Sequence, residues 1–273
     1  MTAALKVKPE FISLLDDVQA SSDRRCLAIQ KVGIKDLSYP IIFVDKQDSQ
    51  QTRASCNLYV SLAADQRGTH MSRFITLMNE YYKTISIEKF YQLPEEVAKT
   101  LEAESSRIEL NFTYFRWKKA PVSGLESAMD YNIFLTGEYV DGKVEMKIKV
   151  EVPATSLCPC SKKISDNGAH NQRSLITITI KLKPNQTIWL EDIITIAEQN
   201  ASAEVFGLLK REDEKFLTEH AYENPKFVED MVRDVALNLQ KDNRIEGFIV
   251  ETENFESIHN HSAYAMIDLM NQA

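Results

Sequence analysis

The segment SLCPCSKKISDNGAHNQRS (156–174) contains the side chains best suited to bind a metal ion. Cys158 and Cys160 are two residues apart, and His170 follows twelve positions after Cys158. Thiolate and neutral imidazole are the ligands that a zinc-like ion prefers. Because no C-x-x-C or H-x-x-x-H motif completes a closed site, the pattern predicts an open site with a position for water. Taken alone, a C-x-C motif is equally compatible with buried packing cysteines.

A pair of histidines is the second candidate for chemistry. His259 and His261 follow Glu256 in a segment predicted to connect two strands. In an extended segment, residues two apart point to the same side, so the pair suits a general acid and its orienting partner. The alternative is a pair of surface histidines without a function.

A glycine-containing loop, QRGTHMSR (66–73), is the third candidate. Gly68 permits a tight turn, and the loop enters a predicted helix whose N-terminal amides attract anions. Arg67 and Arg73 would help to hold phosphates. No Walker-type or dinucleotide-type glycine motif is present.

Two further charged features have a simple structural interpretation. The run LKREDEKF (209–216) is predicted by composition to be a solvated helix end. Glu229 lies on the polar edge of a predicted helix over residues 227–239, and periodicity alone leaves it in water.

The composition is that of an ordinary globular protein. The 273 residues are 44% hydrophobic and 26% charged, and the net charge of -8 argues against non-specific nucleic-acid binding. No apolar run approaches the roughly 20 residues that span a bilayer, and the first residues lack a signal-peptide core. Four cysteines in a chain of this length are not a disulfide framework. We therefore expect a cytoplasmic protein that binds neither nucleic acid nor membrane.

Hydrophobic periodicity predicts an α+β protein with an internal duplication. The predicted strands cover residues 32–44, 53–62, 107–118, 131–139, 143–150, 175–183, 245–253 and 261–270. The predicted helices cover residues 71–83, a segment that begins after Pro94, 192–209 and 227–239. Each half gives two strands, two helices and two strands. We therefore predict an N-terminal arm (1–24), a first module (25–141) and a second module (142–273).

Several motifs in the same order resemble those of the prokaryotic type IB GTP cyclohydrolase family, over most of the chain after about residue 25. The motifs are RGTHMSRF (67–74), SLCPCSKKIS with GAHNQRS (156–174), DEK (213–215) followed by Thr218-Glu219, NPKFVEDMVR (224–233) and NFESIHNHSAYA (254–265).

The resemblance implies a tunnelling fold, in which two ββαα-type modules per chain have antiparallel sheets that assemble into barrels across subunits. It implies a homotetramer with active sites at subunit interfaces. It also implies hydrolysis of GTP at C8 of guanine, with release of formate and formation of 7,8-dihydroneopterin triphosphate for folate-type pterins.

The same resemblance assigns site residues. The metal, which is zinc, manganese or iron, is implied to be held by Cys158, His170 and Glu214, with Glu212 as the rival carboxylate. Cys160 resembles the additional active-site thiol of the family. Glu229 matches the guanine anchor, and the acid–base cluster matches Glu256, His259 and His261. The candidate cations for the triphosphate are Arg67, Arg73, Lys163, Arg173 and Arg211.

Two other functions stay open. A related tunnelling-fold enzyme would use Cys158 or Cys160 as a nucleophile, for example on a nitrile, and would need no metal. A non-enzymatic interaction protein would use Cys158, Cys160 and His170 to bind a structural zinc.

Overall fold

One antiparallel sheet organises the chain in the computed structural model, which describes residues 16–46 and 48–271. The strands are β1 (Ile29–Val44), β2 (Ser49–Leu62), β3 (Ser106–Lys119), β4 (Glu126–Val140), β5 (Lys143–Leu157), β6 (Asn171–Leu182), β7 (Ala203–Glu204), β8 (Ile245–Asn254) and β9 (Ala263–Asp268). The helices are α1 (Met71–Tyr81), α2 (Ile87–Thr100), α3 (Pro159–Ile164), α4 (Leu190–Gln199), α5 (Arg211–Glu223) and α6 (Val228–Gln240). The strand order is β1-β2-β3-β4-β5-β6-β8-β9, and the short β7 pairs with β5.

The strands form where apolar residues alternate with polar ones, as predicted. In β6, Ile176, Ile178 and Ile180 are fully buried, whereas Thr177 and Thr179 between them are partly exposed. This period of two gives the sheet one apolar face. Helices α2, α4 and α6 lie against that face, and their buried residues join those of the strands in one hydrophobic core. None of the helices described is long and apolar enough to cross a membrane.

The predicted start of the second helix is wrong. Helix α2 begins at Ile87, after Ser86, whose hydroxyl accepts a hydrogen bond from the backbone N–H of Lys89 at 3.2 Å. Pro94, predicted to precede the helix, is buried inside it. Its ring fits against Gly137 of β4, where any Cβ atom would lie only 2.6 Å from Pro94 Cγ. This close packing compensates for the backbone hydrogen bond that proline cannot donate.

The helix predicted over residues 192–209 is too long, and two helices were not predicted. Helix α4 ends at Gln199, and β7 follows within the predicted helical range. The charge run at 209–216 is the N-terminal end of a further helix, because α5 begins at Arg211 and continues to Glu223. The second half thus contains the predicted order of elements together with the additional helices α3 and α5.

The predicted seam between the halves is the tight turn between β4 and β5. Asp141 and Gly142 have φ values of 50° and 75°, the left-handed conformation at both central positions of a two-residue hairpin. The sheet is continuous through this turn, so the division into modules 25–141 and 142–273 stays a prediction. Residues 1–15 of the predicted arm lie outside the described residues. Asp23, near the end of the predicted arm, donates its backbone N–H to Asp65 at 2.8 Å.

Candidate active site

The sheet register brings two loops of the second half to the same end of the sheet. Leu157, the last residue of β5, pairs with Asn171 at the start of β6, and Ser174 pairs with Asn254 at the end of β8. The connection 158–170 and the connection 255–262 therefore lie side by side. The backbone N–H of Phe255 also donates to the carbonyl of Arg173 at 2.9 Å.

Cys158 and His170 are adjacent across the mouth of the β5–β6 connection. The backbone N–H of Cys158 donates to the His170 carbonyl at 3.1 Å. Cys158 caps α3 and is partly buried, and its Sγ accepts a hydrogen bond from the Ser161 N–H at 3.4 Å. Cys160, inside α3, is exposed.

The His170 ring is held by polar neighbours. Its Nδ1 lies 2.9 Å from Oε1 of Gln172 and 4.0 Å from Oε2 of Glu256. The side chains of His170 and Glu256 are only 13% and 12% exposed. Sequence reasoning did not identify Gln172, although its place in the same alternating pattern as Ile176, Ile178 and Ile180 was a usable signal.

Helix α5 packs against this loop through one face. Leu217 and Ala221 belong to one small hydrophobic cluster with Leu157 and Ala169, which precede Cys158 and His170 in the chain. Glu214 is three residues before Leu217 and seven before Ala221, so it shares their helix face. Glu212 does not share it, because Phe216, four residues on, is 44% exposed. The helix face therefore favours Glu214 over Glu212 as the carboxylate nearest the loop.

The three predicted ligands are not assembled as a metal site within one chain. In the part of the chain that the structure describes, no group of three or more His, Cys, Asp or Glu side chains is arranged to hold a metal ion. Cys158 and His170 fit a zinc-like ion by chemistry and proximity. Glu214 is exposed in the first turn of α5.

Asp213, the neighbour of Glu214, has a structural role. Its buried carboxylate accepts hydrogen bonds from the backbone N–H groups of Val122, Ser123 and Lys210 at 2.8–2.9 Å and from the Ser123 hydroxyl at 2.6 Å. Burial alone would raise the pKa of this carboxyl, but these hydrogen bonds outweigh it and hold the pKa well below its ordinary value. The start of α5 is thereby fixed to the β3–β4 turn.

Glu229 lies near the same end of the sheet as Cys158. The backbone N–H of Lys226 donates to the Leu157 carbonyl at 3.1 Å, which fixes the start of α6 next to the end of β5. Glu229 is in the first turn of α6 and is exposed, as periodicity predicted.

His259 and His261 are exposed in the β8–β9 connection, which confirms their predicted location. Their rings are stacked, with centroids 5.2 Å apart and an interplanar angle of 14°. The expectation that residues two apart would share a side is thus confirmed. Glu256 of the same loop points toward His170 instead.

Comparison with known proteins decides the family. A family model described as "Type I GTP cyclohydrolase folE2" matches residues 15–265. The chain belongs to this family. It is 53% identical over 257 residues to GTP cyclohydrolase FolE2 2 of Dechloromonas aromatica (strain RCB), with 94% of each chain covered. It is 55% identical over 256 residues to GTP cyclohydrolase FolE2 of Azoarcus sp. (strain BH72), which covers 93% of this chain and 94% of the relative.

Solved structures with a similar fold are distant in sequence. A uricase from Bacillus fastidious gives a TM-score of 0.53 at 9% identity, covering 89% of this chain and 93% of the uricase. Urate oxidase from Bacillus subtilis 168 gives 0.50 at 8% identity, covering 89% and 99%. This likeness concerns the fold alone. It agrees with an α+β architecture built on an antiparallel sheet and is consistent with the predicted tunnelling fold.

Within this FolE2 family chain, the predicted phosphate-binding arginines are far apart. Arg173 is exposed at the start of β6, next to the Cys158 loop. Arg67 and Arg73 follow β2, whose end lies beside the start of β3, at the opposite end of the sheet. Strand β5 has 15 residues and therefore spans about 46 Å.

Arg73 is also engaged within its own chain. Its guanidinium donates to the Thr100 carbonyl at 3.1 Å and to Glu102 at 3.3 Å, at the end of α2. Arg67 is exposed. Of the two, Arg67 is the arginine with the more accessible side chain.

Proposed function

We propose that this protein hydrolyses GTP at C8 of guanine, releases formate and forms 7,8-dihydroneopterin triphosphate for folate-type pterin synthesis. One observation carries the proposal: 53% identity to a GTP cyclohydrolase FolE2 over 94% of both chains. The adjacency of Cys158, His170 and Glu256 supports it.

We propose that Cys158, His170 and Glu214 hold a divalent ion, which is zinc, manganese or iron. When bound, such an ion supplies water whose pKa is lowered from near 16 toward about 7. The thiol and the imidazole are adjacent, and α5 turns the face that carries Glu214 toward their loop. Cys160, exposed in the first turn of α3, is the proposed additional thiol of the site.

Glu229 is the proposed guanine anchor. Its carboxylate accepts hydrogen bonds from the N1–H and the exocyclic amine of guanine. Adenine lacks this pair of donors on the corresponding edge, so a site built for the pair rejects it strongly. The exposure of Glu229 near the Cys158 end of the sheet supports this role.

His259 and His261 are the proposed proton donors to N7 of guanine. Protonation of N7 makes C8 electrophilic, which the addition of water requires, and imidazole titrates in the suitable range. Glu256 belongs to the same loop and lies 4.0 Å from His170, which supports a place for it in the same acid–base cluster.

We also propose that the working unit is a homo-oligomer, a tetramer by family expectation, in the cytoplasm. Strands β1 and β9 are the edges of the sheet in the described part of the chain, and such edges are suited to pairing between subunits. Barrel closure across subunits would bring a loop such as 66–73 of one chain to the Cys158 end of another.

The experiment is incubation of metal-depleted and metal-reconstituted protein with GTP, followed by assays for formate and for the pterin chromophore. We expect both products after reconstitution and neither in Cys158→Ala. Unconsumed GTP with zinc, manganese and iron would contradict the proposal. Activity that persists after exhaustive chelation would instead favour thiol chemistry.

A further inference from the structure

Two buried polar side chains stand behind His170. Gln172 is 8% exposed and Ser156 is fully buried, on the paired strands β6 and β5. The Gln172 Nε2 group donates to Ser156 Oγ at 2.8 Å, and Gln172 Oε1 lies 2.9 Å from His170 Nδ1. The side chains of Ser156, Gln172 and His170 form a continuous row of hydrogen-bonded groups, here called the relay, from the core to the imidazole ring.

The direction of this relay fixes the protonation of the ring. Because the Gln172 amide nitrogen is directed to Ser156, its oxygen faces His170. An amide oxygen only accepts hydrogen bonds, so in this orientation of the amide the 2.9 Å contact is a hydrogen bond when Nδ1 carries the proton and donates it. In a neutral imidazole the lone pair then resides on Nε2, which is the form able to bind a metal through that atom.

Glu256 competes for the same ring nitrogen but lies farther away. Its Oε2 is 4.0 Å from Nδ1, beyond hydrogen-bond distance, whereas Gln172 Oε1 is at 2.9 Å. A neutral amide thus occupies the position that a carboxylate commonly occupies behind a metal-binding histidine. Glu256 stays available to the loop that carries His259 and His261.

We infer that Gln172, supported by Ser156, is a positioning residue that sets the Nδ1–H form of His170 and so presents Nε2 as a metal donor. The inference rests on the proposed metal site, but the form of the ring is a property of the protein without metal. It can therefore be tested separately from GTP hydrolysis.

The first measurement is nitrogen-15 NMR of the histidine side chains in the metal-free full-length protein, with His170→Asn used to assign the signal. We expect the proton of His170 on Nδ1 in the wild type. A proton on Nε2 would overturn the inference, whatever the variants do. In Gln172→Leu we expect this preference to be lost.

The second measurement is the dissociation constant for cobalt(II), by competition with a chelator. Loss of such a partner commonly weakens metal binding by about 10–100-fold, which we expect for Gln172→Leu. Gln172→Glu keeps an acceptor and should bind cobalt at least as tightly as the wild type.

A matched control is Ser174→Ala, on the next inward position of β6. Ser174 is 1% exposed and its hydroxyl donates to Asn254 at 2.7 Å. We expect wild-type cobalt affinity from it. If Gln172→Leu folds and behaves like Ser174→Ala in both measurements, Gln172 only fills the core. If cobalt binds as expected but GTP is not hydrolysed, the proposed function fails and the relay stands.

Discussion

The separation of Arg67 from Cys158 predicts that the two can serve one site only when different chains supply them. Strand β5 has 15 residues, and 14 steps of about 3.3 Å give about 46 Å between the ends of the sheet. Arg67 lies beyond the end of β2, at the opposite end from Cys158. The two residues thus lie at opposite ends of the sheet in one chain, and GTP is much shorter than the sheet.

The test is complementation between Arg67→Ala and Cys158→Ala, which we expect to be inactive separately. In randomly mixed oligomers, a site works when an Arg67→Ala chain supplies the Cys158 end and a Cys158→Ala chain supplies the 66–73 loop. Each of these two conditions is met with a probability of about one half, so about a quarter of wild-type activity should return. Formate release by co-expressed, differently tagged chains measures it.

The control is a mixture of Cys158→Ala with His170→Ala. These residues are adjacent in one chain, so the mixture should stay inactive. Purified mixed oligomers of Arg67→Ala and Cys158→Ala with no activity would refute the reasoning. Full activity of Arg67→Ala alone would show that Arg67 does not contact the substrate.

Three further changes give distinct results. Glu229→Ala should weaken GTP binding by about 10–100-fold, as loss of a hydrogen bond to a charged group does, and unchanged guanine selectivity in calorimetry would contradict the anchor. His259→Ala should slow formate release with metal content unchanged, whereas metal loss would make His259 a ligand. Asp45 is buried, and among the described residues its two carboxylate oxygens have no partner at hydrogen-bond distance. Burial raises its pKa more than the nearby Tyr114 hydroxyl lowers it, so its ionised form costs stability. Asp45→Asn should therefore raise the free energy of unfolding at pH 8 by about 1–3 kcal/mol in urea denaturation. The gain should shrink as the pH falls, because the native wild type then takes up its proton; an equal gain at pH 5 would contradict this cause.

The strands were predictable because burial on one face leaves a period of two in the sequence. The helices were less predictable where a local rule met a tertiary contact. Pro94 signals a helix start, but its packing against Gly137 allows it inside α2. The charge run at 209–216 has no strong apolar period, and α5 is ordered partly by the contacts of Asp213 with the β3–β4 turn.

The proximity of candidate site residues was predictable where they are close in sequence. Cys158 and His170 belong to one connection between paired strands, so they meet as soon as β5 and β6 pair. The resemblance already preferred Glu214 to Glu212, but a run of charges does not reveal which face of α5 is buried, so the residues alone could not support that preference. The separation of Arg67 from Cys158 was not predictable from the sequence, because it follows from the pairing of the four strands β2 to β5.

The antiparallel order explains why a site that used both ends of the sheet would have to divide between chains. Strand β6 starts where β5 ends, and β8, which is antiparallel to β6, ends at that same end of the sheet. Cys158, His170 and Glu256 therefore meet within one chain. Strand β2 is separated from β5 by β3 and β4, and each strand runs opposite to its neighbour. Strand β2 therefore ends at the end of the sheet where β5 begins. Because the backbone pairing fixes these strand directions, rotation of side chains cannot bring the two ends of the sheet together. A site that used both the Cys158 connection and the 66–73 loop would therefore need a second copy of the chain, which makes assembly a condition of such a site.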